Sequence, residues 1–434
     1  MNHNASPAER PTTVRWLVLA LACVTSALLY VHRYSWGVIK SDIKEEFHLT
    51  DTQLGWLDSA FQAAYTIGQV PTGMAGDRFG PAAVLPLMIL CWSGAVGATA
   101  LGSGFWSFAA IRFGFGAAQA GAYPNLSKVT RSWFPTSMRT TVQGLVAVTS
   151  GRIGGACAPL LIGTLLLHQL GFDWRTALLI IAAAGVFLAI ATRLILRNSP
   201  AQHPWTNAAE RRLVESDDPV PGQQPLDKPY WRPAVLVSLA FLMLQSFTST
   251  FADALFVYWI PLFLEEGKGL DKGAMGIFAS LPLIGGAIGG VVGGMLNDLV
   301  IRRTGNLRLA RAAVGLSGKL VAAGFIVASL LVEDGRWMMV VVAVAKFFTD
   351  WSVPTLWGAV TDIGGRLAGR VFGLVNTIGA VGGIVAGPVL GHIKESFGWP
   401  ALFWLIAAVY IVSALCWLGV DPRHRLIAGT SGAR

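Results

Sequence analysis

The sequence predicts an all-α membrane protein with twelve transmembrane helices arranged as two six-helix pseudo-repeats. Three observations lead there. Of 434 residues, 53% are hydrophobic and only 13% charged, with mean hydropathy +0.56, a balance that no water-facing surface of ordinary domains carries. Apolar runs long enough to cross a hydrocarbon layer of ~30 Å recur along the whole chain. One long polar stretch then divides those runs six from six.

The runs lie at about 16–39, 53–75, 82–103, 105–127, 140–167, 174–197, 234–264, 274–297, 310–332, 336–360, 370–393 and 399–419. They are continuously apolar over helical length, and they tolerate Gly and Pro inside because neighbouring helices can satisfy the freed backbone groups. The short alternating strands of a barrel are absent. Residues 1–15 are polar and many apolar runs follow the first, so that run reads as a span and not as a cleaved signal peptide. The net charge of +9 is spread over short gaps between spans, not gathered in one patch, which argues against a nucleic-acid partner. Roughly twenty of the 33 Lys and Arg fall in gaps on the N-terminal side and about seven opposite, so both termini are expected in the cytoplasm of a plasma (bacterial inner) membrane. Cys23, Cys91, Cys157 and Cys416 stand singly in apolar segments. Their spacing suggests neither disulfides nor a metal site, and they read as small core residues.

The polar stretch 198–233 carries NSPAQHPW and PVPGQQPLDKP and reads as a cytoplasmic linker between a bundle over 1–197 and a second over 234–434. Internal repeats support the division. GMAGDR (73–78) closes the second span and GMLNDL (294–299) the eighth; GFDWRTAL (171–178) opens the sixth and SFGWPALF (396–403) the twelfth. Paired halves of this kind place a substrate site at mid-membrane on their interface and imply alternating access.

AFQAAYTIGQVPTGMAGDRFG (60–80) resembles the second-span signature of the major facilitator superfamily. More narrowly, Ala60-Phe61, Tyr65, Gly68 to Pro71, Arg112-Phe113 with Gly116, Pro124, Trp133 to Pro135 and Asp173 to Arg175 resemble the anion:cation symporter family, as do YWIPLFL (258–264) and GLVNTIGAVGGIVAGPVLG (373–391) more weakly. The resemblance implies uptake of small organic anions, often sugar acids, driven by protons or sodium. It also implies acids at the positions of Gln119 and His32, so the usual proton carriers are missing here.

Arg33 and Arg112 are the strongest site candidates. An embedded arginine costs at least ~2.5–3.5 kcal/mol on insertion scales and seldom stands without a partner or a wet cavity. A planar guanidinium matches a carboxylate or sulfonate bidentately, so two on neighbouring helices suggest an anion clamp; snorkelling is the alternative. Arg112, Gly116, Gln119 and Tyr123 recur at helical spacing and share one face. Tyr65, Gln69, Tyr258 and Asn376 are candidates for recognising hydroxyl groups. Lys346 could add charge from the second half, or simply pair with Asp350 four residues on. His32, Asp58, Asp253 and Asp350 are embedded titratable groups that could couple transport to a cation. Asp77 and Arg78, with Asp298 in the repeat, read as a gate latch at the cytoplasmic ends. Lys319 and Arg152 read as structural or gating.

GGAIGGVVGG (285–294) lies inside an apolar span without a preceding strand, so it reads as helix packing and implies no ATP site or other cofactor. The expected partners are a small anionic solute, a proton or sodium ion, and the bilayer, with the chain acting as a monomer. A uniporter or anion exchanger of the same fold is the first rival. A membrane enzyme or receptor is the remote one, since no nucleophile–base or metal-ligand spacing is evident.

Overall fold

A computed structural model describes residues 10–215, 232–424 and 426; PVPGQQPLDKP in the expected linker lies outside them. The first half spans the membrane with Val14–Val38, Asp51–Phe79, Pro81–Thr99, a broken fourth helix (Phe105–Gln119 then Ala122–Trp133), a fifth over 136–169 and Trp174–Ile195. The second half follows with Pro233–Gly267, Lys272–Thr304, Leu307–Ser329, Gly335–Gly364 and Ala368–Cys416. That last helix is two spans joined at Gly398, whose φ of +77° breaks the helical path. All twelve expected spans are therefore present.

Among the described residues, nine helices are long and apolar enough to cross a membrane by themselves. The eleventh and twelfth spans count there as one helix; the second span is diluted by polar residues such as Gln62 and Gln69, and the fourth is broken into pieces of 15 and 12 residues. Several helices outrun the apolar runs: the eighth, read as 274–297, is helical over Lys272–Thr304, about 50 Å at 1.5 Å per residue. A helix bonds its own backbone and need not stop where the hydrocarbon does. Polar caps set the starts. Thr50 accepts from the Gln53 amide (3.2 Å) while Gln53 accepts from the Thr50 amide (2.9 Å), and Asp173, Asp271 and Asp334 cap the sixth, eighth and tenth spans.

We call the side where Val14 begins the N-terminal face and the other the far face. The halves touch toward the far face. Gly55 and Gly387 meet there so closely that a Cβ on either would lie 2.0–2.1 Å from the other's carbonyl oxygen. Gly37 similarly approaches the Val257 carbonyl, and Gly276 that of Pro159. Small residues thus let the second span cross the eleventh, the first cross the seventh and the fifth cross the eighth.

A short helix, Lys40–Phe47, unanticipated from sequence, lies on the far face. Arg175 bonds Glu46 at 2.8 Å and Trp174 bonds it at 3.0 Å; the guanidinium bonds hold the Glu46 carboxyl below its ordinary range. On the N-terminal face, the start of the linker folds onto the first half, with Glu210 of Ala208–Glu215 accepting from the Arg15 amide at 3.0 Å. One expectation is corrected: only Cys416 is a buried core residue, whereas Cys91 and Cys157 are exposed on the bundle surface. A small thiol is tolerated facing either protein or an apolar surround.

Candidate functional site

A cavity of about 840 Å³ lies between the halves. Tyr30, Tyr34, Tyr65, Gln69, Tyr123 and Arg152 line it from the first half; Asp253, Lys346, Asn376, Trp357 and Phe372 line it from the second. The lining descends from mid-span to Thr130, Gln143, Trp357 and Phe372, near the ends of their helices at the N-terminal face. Two stretches of wall, Val146–Ala147 and Val257, belong to wider π-helical turns at Leu145–Ser150 and Leu255–Trp259, an irregularity that recurs where helices carry function.

The charge in this cavity comes from an ion-pair chain across both halves. Lys346 donates to Asp253 at 2.6 Å and to Asp350 at 2.9 Å, and Arg152 of the fifth span reaches Asp350 from the opposite half. The i,i+4 pair Lys346–Asp350 forms, yet it is one link in a larger network. Asp350 is buried while the Asp253 side chain is 41% exposed, so among the described residues Asp253 is the carboxylate that faces the cavity. Lys319 is buried nearby, 5.1 Å from the Tyr410 ring. The glycine run makes room: a Cβ on Gly286 would strike Asp350, and Gly285, Gly289 and Gly293 abut carbonyls of the tenth span.

Arg33 and Arg112 stand elsewhere than expected. Neither lines the cavity. Both guanidinium carbons lie against the Phe61 ring, at 5.2 and 4.8 Å from its centroid. Arg33 also stacks on Tyr30 (5.2 Å) and Tyr65 (4.6 Å), the rings that form the cavity wall, and its Nε donates to Gln119 at 3.2 Å. Arg112 is 3% exposed, deeper toward the far face, against Trp36 and near Tyr258. The weakly hydrated planar guanidinium stacks on aromatic faces, which sets Arg112 behind the wall and leaves Arg33 half-buried against the tyrosines that form it. Each Nη2 is buried without a hydrogen-bond partner among the described residues. Gly116 serves this packing, since a Cβ there would lie 2.2 Å from the Phe61 carbonyl oxygen. The four-residue face is only partly kept, because the helix breaks after Gln119 and Tyr123 turns to Ser26 at 2.8 Å.

His32 is buried and bonded to the Ile181 carbonyl at 2.9 Å. Asp58 is held by Lys40 and Trp36, each at 2.7 Å. Gln69 and Asn376 line the cavity, whereas Tyr258 sits behind it. Asp77 pairs with Lys128 of its own half at 2.6 Å, Arg78 is exposed beside Phe79, and Asp298 is exposed. The expected latch residues therefore do not bridge the halves here, in keeping with the cavity's reach toward that face.

Sequence reading missed the far-face lock. Lys40 and Asp58 are 0% and 1% exposed, and the Lys40 ammonium lies 4.0 Å from the Trp259 ring of the other half. Around them, Lys44 holds Asp51 and Glu266, Lys394 holds the same two acids, and Lys272 holds Asp42 and Glu265, all at 2.6–2.8 Å. The signal was legible: KSDIKEEF follows the first span and EEGKGLDK the seventh, complementary segments at equivalent places in the two halves.

The Major Facilitator Superfamily profile matches residues 19–387. The chain is 30% identical over 94% of both chains to the probable sulfoacetate transporter of Cupriavidus necator. It is 28% identical to the probable galactarate/D-glucarate transporter of Bacillus subtilis, over 91% of this chain and 89% of that one, and 27% identical to the D-galactonate transporter of Escherichia coli, over 95% and 96%. Among solved structures, a bacterial homologue of the human lysosomal transporter Spinster superposes with a TM-score of 0.73 over 94% of this chain and 95% of that chain at 18% identity, a likeness of fold. With twelve spans in two halves around a central cavity, and with these relatives along its length, the chain belongs to the Major Facilitator Superfamily and is a membrane transporter, not an enzyme.

Proposed function

We propose that this protein is a secondary transporter that imports a small organic anion, a sugar acid, short carboxylate or sulfonate, by alternating access. Its moving parts are the bundles 1–197 and 234–434 joined by the linker 198–233, with the N-terminal face toward the cytoplasm. One observation carries the reading: a cavity shared by both halves reaches the N-terminal face, is shut at the far face by ion pairs, and is walled by cations and aromatic rings. The transporters of sulfoacetate, galactarate or glucarate, and galactonate among its relatives support an acidic solute. A thermal-shift screen of organic anions on the purified protein tests it, because a ligand that binds only the folded state raises apparent stability. Hits that lose their effect in Arg33→Ala support the reading; no stabilising anion contradicts it.

Arg33→Lys should fail in uptake nearly as badly as Arg33→Ala, since a lysine supplies one compact charge in place of a stacked planar fork. A fully active Lys variant would contradict a bidentate role. Cation coupling, in this reading, runs through Asp253, the acid facing the cavity, because His32 is satisfied by backbone and Asp58 by Lys40. Proteoliposomes with an inward proton gradient should accumulate the anion, and Asp253→Asn should equilibrate it without accumulation. Uptake indifferent to proton and sodium gradients would favour the uniporter or exchanger, for which Gln119 and His32 in place of the usual acids speak.

The Asp77–Lys128 pair is exposed, and pairs of that kind contribute about 0–1 kcal/mol. Asp77→Ala should therefore leave membrane abundance unchanged while lowering the uptake rate, if Asp77 engages the other half when the N-terminal face shuts. Equal losses of both would count against the latch.

A further inference from the structure

We propose that the preferred solute of this cavity is a compact dianion, with one acidic group received at Arg33 and the other at Arg152, and that Arg152 is the residue that selects it. This deepens the organic-anion reading and rests on it. Fixed positive charge outnumbers its counter-charge at two poles.

At the first pole, Arg33, Arg112 and Lys40 surround Phe61, Tyr258 and Trp259, and the carboxylate packed among them is Asp58, already bonded to Lys40. His32 bonds a backbone carbonyl and Gln119 offers Arg33 only an amide oxygen. Two guanidinium charges are thus without a counter-carboxylate, and each keeps a buried unpartnered nitrogen. Burying such charge is costly unless something compensates it.

At the second pole, Arg152 and Lys346 are bonded to Asp253 and Asp350 with Lys319 buried beside them, three cations against two acids, so at least one positive charge is in excess at each pole. Arg152 is 28% exposed, and the bond to Asp350 runs through one terminal nitrogen, Nη1. The guanidinium has five donors in a fork, so an incoming acidic group can take another edge. The two poles are neighbours: Tyr30 stacks on Arg33 and also packs against Gly151, next to Arg152. A skeleton of a few atoms with an acid at each end spans that interval. A monoanion leaves one pole unmet.

The test is isothermal titration of the purified protein with two matched pairs, in each of which one acidic group gives way to a hydroxymethyl: glucarate against gluconate, and sulfoacetate against isethionate. A hydrogen bond to a charged group contributes about 1.5–3 kcal/mol, so the dianion of at least one pair should bind roughly 10- to 100-fold more tightly than its monoanion. In Arg152→Gln that ratio should collapse toward unity. It should collapse also in Gln119→Glu, a near-isosteric change that pairs Arg33 with a carboxylate while giving up the Gln119 donation to the Leu29 carbonyl. A merely structural role for either side chain would weaken both members of a pair alike and leave the ratio intact. Equal affinities within both pairs, or ratios unmoved in both variants, overturn the dianion proposal while leaving an anion transporter standing. Failure of all four probes to bind removes that broader reading too.

Discussion

Lys40→Met is expected to destabilise the conformation seen here by about 3–5 kcal/mol, the usual cost of leaving a buried charge uncompensated. The expectation comes from burial. Lys40 and Asp58 are shielded from solvent and 2.7 Å apart, so the carboxylate left by methionine loses its bonded cation with no water to replace it, keeping only the Trp36 hydrogen bond and the more distant Arg112 charge. The substitution also strips the Trp259 ring of its cation at 4.0 Å, and that contact joins the halves. Thermal unfolding in detergent should show the loss. Adding Asp58→Asn should restore most of it, because the amide oxygen can still accept from Trp36 and no charge remains. Additive losses in the double variant would mean that the two residues do not act as a pair.

Arg112→Gln should have the opposite profile, with collapsed transport and little change in stability. Arg112 stands behind the wall and acts on the solute through space: with Arg33 and Arg112 both against Phe61, a unit charge about 10 Å from the bound acid at an effective dielectric of ~20 contributes about 1.7 kcal/mol, so uptake should fall by roughly 20-fold. The folded protein loses packing against Trp36 and Phe61 but also loses an unpaired buried charge, and these terms offset. The change in unfolding free energy should lie within about 1 kcal/mol, a trade of stability for activity held in one residue. If uptake survives, or if uptake and stability collapse together, Arg112 is a structural cation.

What was legible in the sequence follows from what kind of force acts. Apolar length and the GMAGDR and GMLNDL repeat are local properties, so the spans and the halves could be read directly. The glycine run in the eighth span was read as packing, and it abuts the tenth. Embedded charge marked Arg33, Arg112, Asp253, Lys346 and Asp350 as costly, and each lies at or near the cavity. Which of them faces water was not legible. Stacking on aromatic rings drew Arg112 behind the wall and Arg33 against it, while Arg152 found its acid 198 residues away in the other half. The far-face lock escaped for the same reason: Lys40, Lys44, Lys272 and Lys394 sit in short polar gaps, and their partners are fixed by how the halves dock.

The far face, shut here, must open for the solute to cross. A direct measurement replaces the four native cysteines and places new ones at Lys44 and Glu266, whose side chains meet at 2.8 Å across the halves. These are joined with a short, cleavable thiol crosslinker, and anion uptake is followed in proteoliposomes. Crosslinking should abolish uptake and cleavage should restore it. Undiminished uptake through the crosslinked protein would contradict alternating access through this cavity.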